Sequence, residues 1–299
     1  MSTRGHRLLA RVIRLSTVVD RAARRFDQIR SVLITRWASP SILDAYNDLA
    51  YERTPVYRAG TPQFRHTLFN WEAEAIAGAF PHPPGRLLIG GAGGGREAFA
   101  LGARGYEVVA FEPSADLARS MLQHAPAGIS IEALIGRYED LPWLTSAATG
   151  ARLDVRLQSP FAAALLGWAS FSHLRTSTAR IAALQGMGEL TSGPVVLSFY
   201  TRRPRPAPPS GIWHRVAEAL GLRFTGDLFT PFVGFHHLSE PDELAKEVRA
   251  AGLEIVQGSF DELDGRWPYL VIRRRSAQNP VTSSRQAATL ARSGESALT

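Results

Sequence analysis

The sequence predicts an α/β fold: a seven-stranded, mostly parallel sheet with helices on both faces, preceded by a long basic N-terminal helix. Three observations lead there. The apolar run Leu87-Leu88-Ile89 suits a buried parallel strand, and the small residues Gly90-Gly91-Ala92-Gly93-Gly94-Gly95 follow it directly. A helical stretch at 96–104, Gly105 and a second strand at 107–111 come next, with Glu112 just past that strand's end. Further apolar runs recur between helical patterns at 129–135, 161–167, 194–200, 253–259 and 268–273.

The stretch from Arg86 to Ser114 has the layout of half a nucleotide-binding unit. Glycines let backbone N–H groups approach a ligand, a helix start favours negative charge, and the acid can hold two ribose hydroxyls. The dinucleotide fingerprint G-x-G-x-x-G is not met, because Arg96 stands where its third glycine belongs. The chain spells G-x-G-x-G instead, at Gly91, Gly93 and Gly95. In this it resembles motif I of the class I S-adenosylmethionine-dependent methyltransferases, whose fold is Rossmann-like and seven-stranded. The resemblance spans about residues 45–274, strongest at motif I, moderate at the final strands and weak at the adenine loop. It implies S-adenosyl-L-methionine as cofactor, held by Gly90, Gly91, Ala92, Gly93, Gly95, Glu112 and Pro113. It also implies methyl transfer to an oxygen or nitrogen of a small-molecule acceptor. The family often carries an acid two positions before the first glycine of the core; here that residue is Ile89. The methionine ammonium must then be met by backbone carbonyls or from elsewhere.

Composition narrows the function classes. At 299 residues the chain can bury a full core. There is no cysteine, which excludes disulfides, thiolate metal sites and cysteine nucleophiles. No apolar run approaches the roughly 20 residues of a membrane span, and a cytoplasmic protein is expected. The formal charge of +7 is local: residues 1–40 hold nine arginines against Asp20 and Asp27. The body between that segment and the tail is close to neutral, which argues against a nucleic-acid partner.

The elements follow in order. Over residues 5–37, Leu8, Val12, Leu15, Val19, Ala22, Phe26, Ile29 and Leu33 form one helical stripe, with arginines on the other faces. That stripe packs on the body or on a second copy in a homodimer; the alternative is a basic amphipathic helix on an anionic membrane surface or an acidic partner. Residues 1–40 are thus an extension, 41–275 the catalytic body, and 276–299 a small, polar, disordered tail. Aromatics crowd 41–80, where Tyr46 and Tyr57 either line the substrate pocket or simply pack. A helix over 69–80 and the turn Pro81–Gly85 deliver the first strand, and Ser114 caps a helix running to about His124. After the third strand, the family's adenine-binding acid is replaced by Arg137, so adenine contact falls to the Tyr138 backbone, with Glu139 or Asp140 as substitutes.

Residues 143–159 read equally as an extra strand or a loop. The fourth strand ends in Trp168-Ala-Ser-Phe-Ser-His173, and ligands in open α/β sheets sit outside the carboxyl ends of strands. Trp168 is therefore a cofactor candidate, Ser170 a pocket candidate and His173 either the general base or a packed helix opener. Residues 210–238 are expected to form a substrate lid, a helix and then an aromatic loop, with Trp213 and His236 in the pocket. His236 and His237 point apart, so no metal site is expected. Ser239 should cap the next helix, and the last two strands should close the sheet as a hairpin. Two competing functions stay open: a catalytically silent scaffold of the same fold, favoured by Ile89 and Arg137, and a nucleotide-linked oxidoreductase, disfavoured by the glycine spacing.

Overall fold

The computed structural model describes residues 3–158, 160–201, 226–260 and 267–275. In chain order these form α1 (Thr3–Trp37), α2 (Pro40–Glu52), α3 (Asn70–Ala79), β1 (Arg86–Gly90), α4 (Arg96–Gly102), β2 (Glu107–Glu112), α5 (Ala115–Gln123) and β3 (Ser130–Ile135). Then come β4 (Trp143–Ser146), β5 (Arg152–Asp154), β6 (Ala163–Leu166), α6 (Ser177–Leu190), β7 (Val195–Ser198) and β8 (Tyr200–Thr201). The last are β9 (Asp227–Thr230), β10 (Gly234–Ser239), α7 (Pro241–Ala250), β11 (Leu253–Ser259) and β12 (Tyr269–Arg274). The chain divides into two compact units, residues 1–51 with 202–238 and residues 52–201 with 239–299.

The larger unit is built on one sheet of nine strands in the order β11-β12-β7-β6-β1-β2-β3-β4-β5. Its centre is parallel: β1 pairs with β2 and β6, β2 with β3, and β6 with β7. Both edges turn antiparallel, β12 on β7 and β4 on β3. Alternate residues of the central strands feed two cores. Leu88, Val109, Phe111 and Leu197 point to the side covered by Leu184 and Met187 of α6 and Leu244 and Val248 of α7. Leu87, Ile89, Val108 and Val196 point to the side covered by Ile76 of α3, Phe99 and Leu101 of α4 and Met121 of α5. Burial on both faces is why these strands read as continuous apolar runs.

Three expectations are corrected here. The sheet has nine strands, not seven, because residues 143–154 supply β4 and β5, an antiparallel pair extending past β3. The stretch expected as an aromatic loop before residue 238 instead contains an antiparallel hairpin, β9 with β10. Ser239 ends β10, and the residue at the cap of α7 is Glu240, which makes no side-chain capping bond. Proline at the first position of α7 supplies the start signal instead. Ser114 does cap α5 as its type predicts, its Oγ accepting the Leu117 N–H at 3.2 Å.

In the smaller unit, α1 and α2 pack on the β9–β10 hairpin. Leu43, Phe229 and Phe235 form its core, with Ile34, Ala38 and Tyr46 against them. The buried Asn47 side chain behaves as a length of strand: Nδ2 donates to the Phe235 carbonyl at 3.1 Å and Oδ1 accepts the Phe235 N–H at 2.8 Å. Ser31 Oγ accepts the Phe229 N–H at 2.6 Å. Earlier in α1, Leu15, Val18, Val19, Phe26 and Ile29 of the amphipathic stretch are all at least half exposed. Among the described residues, no helix is long and apolar enough to cross a membrane.

Candidate functional site

The glycine run makes the turn between β1 and α4 at the carboxyl edge of the sheet. The N–H groups of Ala92–Gly95 are used within the protein. Ala92 donates to the Phe111 carbonyl at 3.1 Å, Gly94 to the Tyr57 carbonyl at 2.8 Å and Gly95 to the Ala92 carbonyl at 2.9 Å. Gly93 donates to Glu112 Oε2 at 2.8 Å, while Oε1 accepts the Ser114 N–H at 3.1 Å. The sequence-based expectation that these N–H groups face a ligand is therefore not met: they tie the loop to β2 and to the Tyr57 segment. Glycine is needed for two different reasons. At Gly94 a Cβ would lie 2.6 Å from the Ala59 nitrogen, so the Tyr57–Ala59 backbone can pass over the turn. Gly93 has φ +55°, the left-handed region that favours glycine, and a Cβ there would be in ordinary contact with the Tyr57 carbonyl oxygen at 3.8 Å. Glu112, at the end of β2, is buried beside it, and half-buried Pro113 follows.

Directly after the glycines, Arg96 and Glu97 open α4 and are both buried. Arg96 donates to both oxygens of Glu72 at 2.6 Å, to Glu97 Oε1 at 2.6 Å and to the Thr67 carbonyl at 3.1 Å, and its guanidinium lies 3.9 Å from the Phe69 ring centre. Burial opposes the guanidinium's charge, but the two carboxylates hold it protonated. Burial, reinforced by the Glu97 charge, pushes the Glu72 carboxyl up to about 7 against the pull of Arg96. Glu97 Oε1 also accepts the Trp168 N–H at 3.4 Å, and its Oε2 makes no hydrogen bond among the described residues. A carboxylate thus bridges the start of α4 and the loop after β6. Sequence reasoning missed it. The signal was there in Gly95-Arg96-Glu97, an acid in the first turn after the glycine motif.

The loop after β6 is tightly held. Gly167 donates to the Gly90 carbonyl at 2.7 Å, and the Ala169 N–H meets Ser198 Oγ at 2.8 Å. Ala169 sits at φ +54°, a left-handed conformation that a residue with a Cβ adopts only when its surroundings over-determine it. Ser170 Oγ and the Tyr138 hydroxyl are 2.7 Å apart, and the Tyr138 ring packs edge-on against Phe111. Burial raises the Tyr138 hydroxyl pKa far above its usual value despite the Ser170 bond. Tyr138 thus contributes its side chain to the core beneath the loop. The N–H of half-buried Arg137 is taken by Asp140 Oδ2 at 2.7 Å, which turns that acid back on its own loop. His173 ends the short turn Ser170–His173 and is half-buried. Tyr57, whose hydroxyl pKa is raised by burial, lies 6.1 Å from the Trp168 ring.

Among the sequence-predicted residues, the structure gathers Gly90–Gly95, Glu112, Tyr138, Ser170, Trp168 and Tyr57 around one turn of the larger unit. Tyr46 and His236 belong to the smaller unit, where the Tyr46 hydroxyl donates to the Pro231 carbonyl at 3.0 Å. His236 is buried on β10, and burial lowers its pKa. His237 pairs with Asp227 at 2.7 Å. Trp213 lies outside the described residues. Among the described residues, no group of three or more histidine, cysteine or acidic side chains is placed to hold a metal.

No family model and no curated protein matches the sequence. Solved structures match the fold. The CcbJ methyltransferase from Streptomyces caelestis is similar over 77% of this chain and 98% of that chain, at 18% identity and a TM-score of 0.51. A SAM-dependent methyltransferase from Methanosarcina mazei matches over 68% of this chain and 98% of its own, at 15% identity and a TM-score of 0.49. Magnesium protoporphyrin IX methyltransferase from Synechocystis matches over 68% and 80%, at 14% identity and a TM-score of 0.46. The CcbJ likeness, at that identity, bears on architecture alone, and it agrees with the glycine turn between β1 and α4 and the acid ending β2: the chain has the class I S-adenosylmethionine-dependent methyltransferase fold.

Proposed function

We propose that the chain is an S-adenosylmethionine-dependent methyltransferase acting on an oxygen or nitrogen of a small-molecule acceptor. One observation carries the reading: the N–H groups of Ala92–Gly95 are spent internally, while the Glu112 carboxylate sits beside Gly93. A dinucleotide needs such N–H groups for its pyrophosphate. S-adenosylmethionine has no phosphate and needs an acceptor for two ribose hydroxyls, which a carboxylate provides. When bound, it supplies a methyl carbon made electrophilic by the sulfonium. In this reading Glu112 holds the ribose, Glu97 meets the methionine ammonium in place of the acid that Ile89 lacks, and Trp168 covers the sulfonium end. Tyr57 and Ser170 belong to the acceptor side, and His173 removes the acceptor's proton. The chain's contribution is alignment of donor and acceptor and exclusion of water.

The silent-scaffold alternative rests on Ile89 and Arg137. A carboxylate at Glu97 weighs against it, because the charge missing at Ile89 is supplied from the next element. Calorimetric titration with S-adenosylhomocysteine and with NADH tests the reading, with Glu112→Ala as control. Binding of S-adenosylhomocysteine, weakened roughly 100-fold by the substitution, is the expected result. Binding of NADH alone would replace the methyltransferase with an oxidoreductase, and silence towards both would leave the scaffold. Turnover of labelled S-adenosylmethionine against an acceptor panel separates enzyme from scaffold.

A further inference from the structure

Resting on the methyltransferase reading, we infer that the acceptor is a planar, uncharged aromatic molecule bearing a carbonyl or phenolic oxygen, held against Trp168 and Trp267. The pairing register brings these residues together. β7 and β12 pair Ser198 with Tyr269, so Tyr200 and Trp267 face each other just past the end of β7. β6 runs parallel beside β7, with Leu166 opposite Leu197, so Trp168 leaves the sheet at the same level. The rings meet there: Trp168 and Trp267 are 5.3 Å apart between centres, Tyr200 and Trp267 5.4 Å, and Phe69 and Trp168 4.9 Å. This is the carboxyl edge of the parallel strands, where ligands of open α/β sheets bind.

Both indole nitrogens in this cluster, Trp168 Nε1 and Trp267 Nε1, are buried and have no hydrogen-bond partner among the described residues. A buried tryptophan N–H ordinarily finds an acceptor. Two that do not, in touching rings at a ligand-binding edge, mark where a bound molecule places an oxygen. The edge-to-face rings ask for flat apolar surface on the rest of that molecule. Charge decides the remaining choice. Next to the cluster one arginine, Arg96, already serves two buried carboxylates, Glu72 and Glu97, and Glu97 also accepts the Trp168 backbone N–H. Among the described residues no positive charge is left over there to hold an anion, so the oxygen belongs to a neutral group.

Three bicyclic probes of similar size test this on the full chain in the presence of saturating S-adenosylhomocysteine: coumarin (neutral, with a carbonyl), naphthalene (no acceptor) and 2-naphthoate (anionic). Coumarin should bind roughly tenfold tighter than naphthalene, and should shift two indole N–H resonances in a proton–nitrogen spectrum, assigned by Trp168→Phe and Trp267→Phe. Trp267→Phe keeps an aromatic ring, though a smaller one than the indole, and removes the donor, so it should erase coumarin's advantage while S-adenosylhomocysteine still binds. Equal binding of coumarin and naphthalene, a preference for 2-naphthoate, or binding that leaves both resonances unmoved would overturn the inference, as would no binding by any probe while S-adenosylhomocysteine binds. If S-adenosylhomocysteine itself does not bind, it is the methyltransferase reading that fails.

Discussion

Glu97 is the position at which one substitution should separate the two halves of the proposed cofactor. Its Oε1 is committed to Arg96 and the Trp168 N–H, and its Oε2 is not. An ammonium on that oxygen makes a charge-assisted bond of about 1.5–3 kcal/mol. Glu97→Gln keeps an oxygen for Arg96 and removes the charge, so S-adenosylhomocysteine should bind roughly 10- to 100-fold more weakly by calorimetry. 5′-Methylthioadenosine, which lacks the amino-acid tail, should bind the variant as it binds the parent. Equal losses for both ligands would mean that Glu97 only shapes the loop. At this scale the sequence was legible where a residue type has one use at its position, as with Ser114 at the helix start. It was silent where a side chain had two directions open to it. Tyr138 goes into the core to meet Ser170, and Asp140 turns back on Arg137, because burial and local bonding outweigh what a family position suggests. Trp267 drew no attention as a residue in the loop before the last strand; only the β7–β12 register brings it to Trp168 and Tyr200.

Among the elements, α6 and α7 are joined by a buried ion pair whose cost of removal can be stated. Arg180 and Glu247 are each only 2% exposed. Arg180 Nε donates to both Glu247 oxygens at 3.0 Å, Nη2 reaches Glu247 and Glu243 at 2.7 Å, and Nη1 reaches the Leu174 carbonyl at 3.2 Å. Arg180→Ala leaves Glu247 charged, buried and alone, and should cost about 3–5 kcal/mol. Arg273 offers the contrast. Its bond to Glu254 is 2.8 Å, but its side chain is 60% exposed, so Arg273→Ala should cost about 0–1 kcal/mol. Urea unfolding midpoints of the two variants check both figures, and similar midpoints would refute the account of α6 and α7. The central strands and most helices were legible because their burial follows a simple period. The β9–β10 hairpin was not. Its strand Gly234–Ser239 is buried on both faces and shows no alternation, and the amide that completes it, on Asn47, comes from 188 residues away in sequence.

For the whole molecule, the relevant arrangement is that the site sits on β1 and β2, near the centre of the nine-stranded sheet. The sequence predicted parallel strands there, since strands covered on both faces read as apolar runs. It could not give their order, which is set by crossovers, nor the edge pair β4–β5, whose short strands mix polar and apolar residues. A ligand held at the centre binds only the folded sheet, because Glu112, Gly93 and Glu97 come from different elements that an unfolded chain does not bring together. Binding must then appear as stability. At a concentration of S-adenosylhomocysteine 100 times its Kd, the folded state gains about 2.7 kcal/mol. For a unit of this size each kcal/mol moves the melting midpoint by about 2–4 °C, so the expected rise is roughly 5–10 °C. Differential scanning calorimetry with S-adenosylhomocysteine, with NADH and with Glu112→Ala reads this directly. NADH should leave the midpoint in place, because Ala92–Gly95 have no N–H groups to offer a pyrophosphate. A rise with NADH equal to that with S-adenosylhomocysteine would mean that the loop opens and releases those bonds to a pyrophosphate.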